Sequence, residues 1–207
     1  MSAVRFPLLL CLALLAGCTS LLGVQRQSFT IYAPGYRAPA DAAGGPRVDW
    51  QLVVETPLAS DTLNTARIVV MPKPGVIEVY PGARWSDPAP TLMRSLIVQG
   101  FEQSGRIVGV GSATSGLSGD YALALDLHAF QAEIRDGVSH AVIRFQARLL
   151  DYRNSHVVAS RAFSADAPFP ANDTAAAFAA FETTIGQVVS ELVDWSLREG
   201  TQARKSR

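Results

Sequence analysis

Hydrophobic and polar positions alternate with a period of two over three successive segments, residues 121–130, 141–149 and 156–164. Such alternation is typical of half-buried β-strands, and Asp136-Gly137 indicates a tight turn between the first two. The pattern therefore predicts an antiparallel meander with one apolar face and one polar face that meets solvent or a partner. On the first strand, the apolar face is expected to carry Leu123, Leu125, Leu127 and Ala129, and the opposite face Asp126, His128 and Phe130.

Shorter apolar runs precede the meander. They are rich in Val and Ile and predict strands over residues 50–55, 67–71, 76–80 and 107–110. Between the last two runs, apolar residues recur at helical spacing. Asp87 is a suitable N-cap for this helix, Pro88 fits its first position, and Gly105 supplies its end.

The last predicted element is a long amphipathic helix. It spans residues 174–197, with Asn172 or Asp173 as its cap and one apolar stripe along its length. Residues 201–207 are expected to form a disordered tail. Strands, a helix, the meander and a second helix in this order predict an α+β fold, in which two helices pack on one face of an antiparallel or mixed sheet.

The residues before the first strand lack the periodicity of either helix or strand. Residues 18–47 contain several Pro and Gly residues and are interpreted as a flexible tether, which leaves residues 48–200 as a single domain. Within the tether, Phe29, Ile31 and Tyr32 form a short alternation that could add an edge strand. Part of the tether could therefore dock on the domain.

The N-terminus has the pattern of a secretion signal. Arg5 is followed by an apolar run over residues 6–16, which is too short to span a bilayer. The run ends in LAGC at residues 15–18, the lipobox pattern of bacterial lipoproteins. Residues 1–17 are therefore predicted to be removed and Cys18 to carry a diacylglycerol thioether and an N-acyl chain such as palmitate. The alternative is an ordinary signal peptide with an incidental cysteine.

The cysteines, the residue after Cys18 and the charge balance bear on disulfide bonds, on the compartment and on nucleic-acid binding. Cys11 lies inside the signal, so Cys18 remains as a lipid-modified cysteine and no intramolecular disulfide is expected. Thr19 follows it, rather than the Asp that retains lipoproteins in the inner membrane of enterobacteria, which favours the periplasmic face of the outer membrane. With 18 basic and 18 acidic side chains, the chain offers no electrostatic argument for binding nucleic acid.

No catalytic or metal constellation is evident in the sequence. His128, His140 and His156 lie in or beside three successive predicted strands, and Asp126 shares a face with His128. Their spacing matches no zinc motif, so they are interpreted as solvated sheet residues. We therefore expect no enzymatic activity, no metal and no cofactor other than the covalent lipid.

Arg84 and Trp85 form a candidate partner contact just before the first helix, because Arg and aromatic side chains dominate binding hot spots. An equally good interpretation is that Trp85 packs beneath the start of the helix while Arg84 is solvated. The sequence leaves both interpretations open.

Several motifs in order resemble the ABC-type transport auxiliary lipoprotein family. They are the lipobox at residues 15–18, ARWSDP at residues 83–88, EQSG at residues 102–105, DYAL at residues 120–123, and a closing alanine-rich helix that ends near Trp195. Each motif alone is degenerate, and their order over nearly the whole mature chain carries the resemblance. Among the family's functional positions, only the acylated cysteine carries over, to Cys18.

The resemblance implies a non-enzymatic auxiliary component of an MCE-type system that moves lipids between the two membranes of Gram-negative bacteria. The implied partners are the MCE-domain protein and the ABC transporter components, and a homo-oligomeric ring would suit a protein that receives a tunnel. The competing hypothesis is a stand-alone lipid-binding or envelope-assembly lipoprotein without a transporter.

Overall fold

The computed structural model describes residues 28–40, 44–171 and 173–206, which form nine strands and two α-helices of an α+β fold. Short connections join most of these elements, and a single turn of 3₁₀ helix at Ala113–Ser115 follows the sixth strand. The elements are β1 Thr30–Tyr32, β2 Val48–Val54, β3 Leu58–Ala59, β4 Arg67–Lys73, β5 Val76–Trp85, α1 Ala89–Ser104, β6 Ile107–Ser112, β7 Tyr121–Arg135, β8 Val138–Asp151, β9 Val157–Phe169 and α2 Thr174–Lys205.

The strand β7 organises a mixed sheet. Along one edge it pairs with β8 in antiparallel fashion, and β8 pairs with β9 in the same way, as the meander predicted. Along its other edge β7 pairs in succession with β2, β3 and β4, all parallel to it. β6 extends the sheet beyond β2, while β5 and then β1 extend it beyond β4. Asp136 and Gly137 both have positive φ, as the tight turn between β7 and β8 requires.

A register shift at His128 changes which face of β7 is buried. Leu127 pairs with Phe145 and Ala129 pairs with Arg144, so His128 is the extra residue of a β-bulge. Beyond the bulge the alternation is reversed, and Phe130 lies in the core with 1% of its surface exposed. The expectation that Phe130 points away from the core was therefore wrong, because a bulge moves every later side chain to the other face.

The helix α1 begins later than predicted. Its N-cap is Pro88, with no side-chain capping bond, rather than Asp87. A carboxylate cap is dispensable here because the Ala89 amide donates to the carbonyl of Thr65 and Pro90 has no amide hydrogen. The predicted end is confirmed, since Gly105 takes the left-handed conformation and its amide donates to the Glu102 carbonyl.

The helix α2 extends beyond its predicted end. Asp173 caps it, as expected, by accepting a hydrogen bond from the Ala176 amide. The helix then continues to Lys205, so the expected disordered tail from residue 201 is helical over residues 201–205. This last part contacts the domain, since Ala203 packs against the core and Arg204 lies 3.5 Å from a carboxylate oxygen of Asp49.

The expected tether is partly integrated into the fold. β1 pairs with β5 in parallel, which confirms the docking edge strand. The Tyr36 side chain is buried, and its hydroxyl lies 2.7 Å from Oγ of Ser190 in α2. The domain boundary at residue 48 was therefore placed too late, because these contacts lie between residues far apart in the chain.

Both helices contribute to one hydrophobic core on one face of the sheet. Phe101 of α1 and Ile185 of α2 are fully buried in the same cluster as Leu123 and Phe145 of the meander. We call the opposite side, turned away from the helices, the outer face. No helix among the described residues combines the length and the hydrophobicity needed to cross a membrane.

Candidate functional site

The structure separates the two members of the candidate partner contact. Trp85 is 1% exposed, and its ring packs edge-to-face against Phe130 and Phe181 at centroid distances of 5.5 and 4.9 Å. Arg84 lies on the outer face, exposed, with its Cζ 5.5 Å from the centre of the Phe29 ring. Trp85 is thus a core residue with no surface for a partner, whereas Arg84 as a contact stays a prediction.

A hydrogen-bonded network of charges occupies the outer face of β7 and β8. Glu133 is its centre: one carboxylate oxygen accepts from Arg144 at 2.7 Å and from Gln131 at 3.1 Å, and the other accepts from Arg135 at 2.8 Å. Burial raises the pKa of Glu133, but the hydrogen bonds from Arg144, Arg135 and Gln131 together outweigh this effect and lower it. Glu133 therefore stays ionised as a structural carboxylate.

A second ion pair lies further along the same face. Arg148 donates to both carboxylate oxygens of Asp126, at 2.7 and 2.9 Å. These hydrogen bonds lower the pKa of Asp126 and raise that of Arg148. Asp126, a candidate metal ligand in the sequence, is thus already engaged by a guanidinium.

The three histidines do not form a common site in the described structure. His128 is the exposed bulge residue of β7, and His156 lies in the connection between β8 and β9. Nδ1 of His140 lies 2.8 Å from a carboxylate oxygen of Asp166 on β9. Within residues 28–40, 44–171 and 173–206, no three His, Cys, Asp or Glu side chains converge in a geometry that could hold a metal ion. The expectation of a protein without metal stays a prediction.

A cleft of about 430 Å³ opens where the start of β2 meets the last turns of α2. Arg106, at the foot of β6, forms an ion pair with Asp194 beside it. The cleft is open on one side and lined by both apolar and basic residues, including Val48, Leu197 and Lys205. Its described lining residues include neither a pair of carboxylates nor a nucleophile beside a base, which are arrangements expected of a catalytic site.

The residues of the outer face near β1 were missed by sequence reasoning. Ile77 and Val79 are 51% and 42% exposed, and Ile31 is 55% exposed. The signal that could have found them is the composition of residues 76–80, because four of these five residues are apolar and both faces of the predicted strand carry apolar side chains. Which face of that strand is covered depends on the helices, and the composition does not contain that information.

The match with known proteins covers the fold just described. Residues 30–193 match the model of the family described as the ABC-type transport auxiliary lipoprotein component. The matched segment begins with β1 and ends within α2, so it includes all nine described strands. The chain belongs to this family. Membership confirms the resemblance seen in the sequence, and the lipoprotein family indicates an envelope location anchored to a membrane.

Solved structures share this fold. The crystal structure of protein XCC0632 from Xanthomonas campestris, assigned to the family model DUF330, is 40% identical in sequence with a TM-score of 0.79. The match covers 85% of this chain and 99% of that chain. A second crystal structure, of an uncharacterized protein, is 16% identical with a TM-score of 0.52 and covers 87% of this chain and 99% of that one, which shows the fold alone.

A curated relative is longer. An uncharacterized protein of Bradyrhizobium diazoefficiens is 28% identical over 192 residues, which are 89% of this chain and 49% of the relative. The chain thus spans about half the length of the curated relative that it matches. Cys18, the candidate lipid attachment site, lies outside the described residues and before the segment matched by the family model.

Proposed function

We propose that this protein is a non-enzymatic auxiliary component of an ABC transport system of the MCE type, which moves lipids between the inner and outer membranes. A lipid on Cys18 holds the domain at the periplasmic face of the outer membrane. There it contacts the MCE-domain protein that the inner-membrane transporter carries. The observation that carries this proposal is the family match over residues 30–193, which covers the folded domain and not one motif within it.

The electrostatics of the outer face support a role in binding and not in catalysis. The carboxylates of Asp126 and Glu133 have lowered pKa values and accept hydrogen bonds from arginines. A general acid or base needs a pKa near the working pH and a free position for a substrate. These groups instead fix the surface shape that a partner protein would meet.

The anchor is tested by replacing the cysteine. Cys18→Ala should abolish labelling with a fatty-acid analogue and release the protein from membranes, because the acyl chains bury dozens of methylenes at about 0.8 kcal/mol each. Thr19→Asp is the matched variant for sorting, and it should move the lipidated protein to the inner membrane in an enterobacterial host. A Cys18→Ala protein that still labels and fractionates with membranes would show that the lipobox interpretation is wrong.

The partner is tested by cross-linking in intact cells, followed by purification of the lipidated protein. The expected products contain the MCE-domain protein and ABC transporter components, and the Cys18→Ala variant should lose them because it is no longer held at the membrane. A lipidated protein that carries bound lipid but captures neither component would instead support a stand-alone lipid-binding or envelope-assembly lipoprotein.

A further inference from the structure

The outer face of the sheet is divided into a polar part and an apolar part. On β7, β8 and β9 it carries the hydrogen-bonded charges described above. On β1 and β5, two tyrosine side chains lie on the core side of the sheet: Tyr32 contacts Phe178, and Tyr80 packs against the core. Side chains alternate between the two faces of a strand, so the residues one and three positions before each tyrosine face outward. The large apolar side chains exposed there are Phe29 (49%), Ile31 (55%), Ile77 (51%) and Val79 (42%), and we call this set the apolar zone.

Two cations border the apolar zone. Arg67 of β4 and Arg84 of β5 lie directly opposite each other in the antiparallel register, and Arg84 is also in register with Ile31. Like charges in this position destabilise a sheet. Within the described residues, neither guanidinium has a carboxylate within 4.0 Å.

The other arginines of the outer face differ in this respect. Arg135, Arg144 and Arg148 each form an ion pair with a carboxylate on that face. The contrast places two guanidiniums, which have no acidic partner in the described part of the chain, next to exposed Phe and Ile side chains. An anionic surface with an apolar interior would complement this combination.

The short distance between the apolar zone and the proposed anchor at Cys18 favours a membrane as that anionic surface. Eleven peptide units separate Cys18 from Phe29, and whatever their conformation they span at most about 40 Å. This is less than the length of α2, whose 32 residues extend over about 48 Å. A lipid on Cys18 would therefore keep Phe29 and the start of β1 within about 40 Å of the bilayer, whichever way the rest of the domain turns.

We propose that the apolar zone, together with Arg67 and Arg84, lies against the membrane and binds its anionic phospholipids. This inference rests on the proposed lipid anchor at Cys18. The Phe and Ile side chains enter the boundary between headgroups and acyl chains, as in interfacial proteins. The two guanidiniums donate hydrogen bonds to lipid phosphates, which relieves their mutual repulsion. The polar part of the outer face is then turned toward the periplasm.

Site-directed spin labels on the full lipidated protein test this orientation. Because Cys18 is acylated, Ile31→Cys and Ile77→Cys each introduce a unique free thiol. Val157→Cys is the matched control, since Val157 is 43% exposed on β9, far along the sheet from β1. On phosphatidylglycerol-containing vesicles, the labels at 31 and 77 should lose at least threefold in collision with an aqueous nickel chelate. The label at 157 should not change, and equal accessibility at all three positions would overturn the proposal.

The charges are tested in the same assay. The double variant Arg67→Gln/Arg84→Gln should restore the aqueous accessibility of the label at 31 severalfold on phosphatidylglycerol vesicles, and change little on phosphatidylcholine vesicles. Arg161→Gln, which removes a cation from β9, is the control and should have no effect. If the double variant stays as protected as the parent on anionic vesicles, the guanidiniums do not bind lipid and the proposal fails.

Three further measurements separate this inference from others. Mass spectrometry of the same sample reports the lipid on Cys18: a lipidated protein with exposed labels contradicts this inference alone, whereas an unmodified Cys18 overturns both the anchor and the inference. Protection that appears only when an MCE-domain protein is added would assign the apolar zone to a protein partner. Protection that rises with protein concentration at constant lipid would assign it to a second copy of the chain. Both results would overturn the membrane proposal.

Discussion

Replacement of Trp85 by Ala should destabilise the domain strongly, although sequence reasoning made this residue a candidate surface contact. The side chain is 1% exposed and packs against Phe130 from β7 and Phe181 from α2. It thus joins the end of β5 to both layers of the core. We expect the free energy of unfolding to fall by about 3–5 kcal/mol, the range for deleting a large aromatic side chain from a core.

The aromatic contacts place the effect near the upper end of that range. Each edge-to-face pair contributes about 0.5–1.5 kcal/mol beyond the burial of area, and Trp85 makes two. The indole N–H of Trp85 should make the loss of stability smaller. The Nε1 atom is buried without a hydrogen-bond acceptor among the described residues, and an unsatisfied buried donor costs about 1–3 kcal/mol.

This last feature supplies a matched variant. Trp85→Phe removes the unsatisfied donor and part of the ring together, so the two effects oppose each other and the net change should stay below about 1.5 kcal/mol. Arg84→Ala, at the neighbouring exposed position, should change the stability by no more than about 0.5 kcal/mol. The three variants therefore separate packing from surface chemistry.

Equilibrium unfolding of the mature protein in urea, followed by far-UV circular dichroism, measures all three values. The signal should report the α-helices and the sheet. Unchanged m-values would show that the parent and the variants expose the same surface on unfolding, so that their free energies can be compared. A Trp85→Ala protein with a loss below about 1 kcal/mol, or with the same loss as Arg84→Ala, would refute the assignment of Trp85 to the core.

The other predictions concern close packing, pH and a helix cap. Gly200→Ala should lose about 1–3 kcal/mol in urea unfolding despite better helix propensity, because the new Cβ would lie 2.6 Å from Cζ2 of the buried Trp50. The folded-state pKa values of Asp126 and Glu133 lie below their unfolded values, so the stability they contribute is complete above about pH 5 and is lost as pH falls through the folded values. Melting temperatures against pH should show this fall, and the Asp126→Asn/Glu133→Gln variant should flatten it. Asp173→Ala should cost about 0.5–2 kcal/mol in unfolding free energy, and Asp173→Ser should restore most of it.

Specific results would contradict each of these expectations. A Gly200→Ala protein that is more stable than the parent would mean that the Trp50 ring moves freely. A pH profile with the same slope in the double variant would assign the acid sensitivity to other carboxylates. An Asp173→Ala protein of unchanged stability would mean that the first turn of α2 frays without consequence.

The division of the outer face suggests why one sheet can meet two different surroundings. Ion pairs such as Arg148 with Asp126 cover the meander, while Ile31 and Val79 lie exposed near the N-terminus. The two parts are built from different strands. The polar part lies on the meander of β7, β8 and β9, and the apolar part lies on β1 and β5, which are outside the meander. In the proposed arrangement, the apolar part would contact the membrane and the polar part would contact a transport protein.

The local elements were determined by the sequence itself. The alternation in the meander, the turn at Asp136-Gly137, the end of α1 at Gly105 and the Asp173 cap of α2 all depend on residues close together in the chain. The family was recognisable for a related reason, because its motifs are short and only their order had to be read.

Only the tertiary structure decided how these elements combine. The bulge at His128, the burial of Trp85 and the continuation of α2 to Lys205 all depend on partners that are distant in the chain. A bulge reverses the exposed and buried faces of a strand, yet the residues on either side still alternate, so the pattern alone gives no sign of it. The three parallel partners along one edge of β7 were hidden for the same reason. Strand pairing across long separations is set by the packing of the whole sheet against its helices, and no short stretch of sequence contains that information.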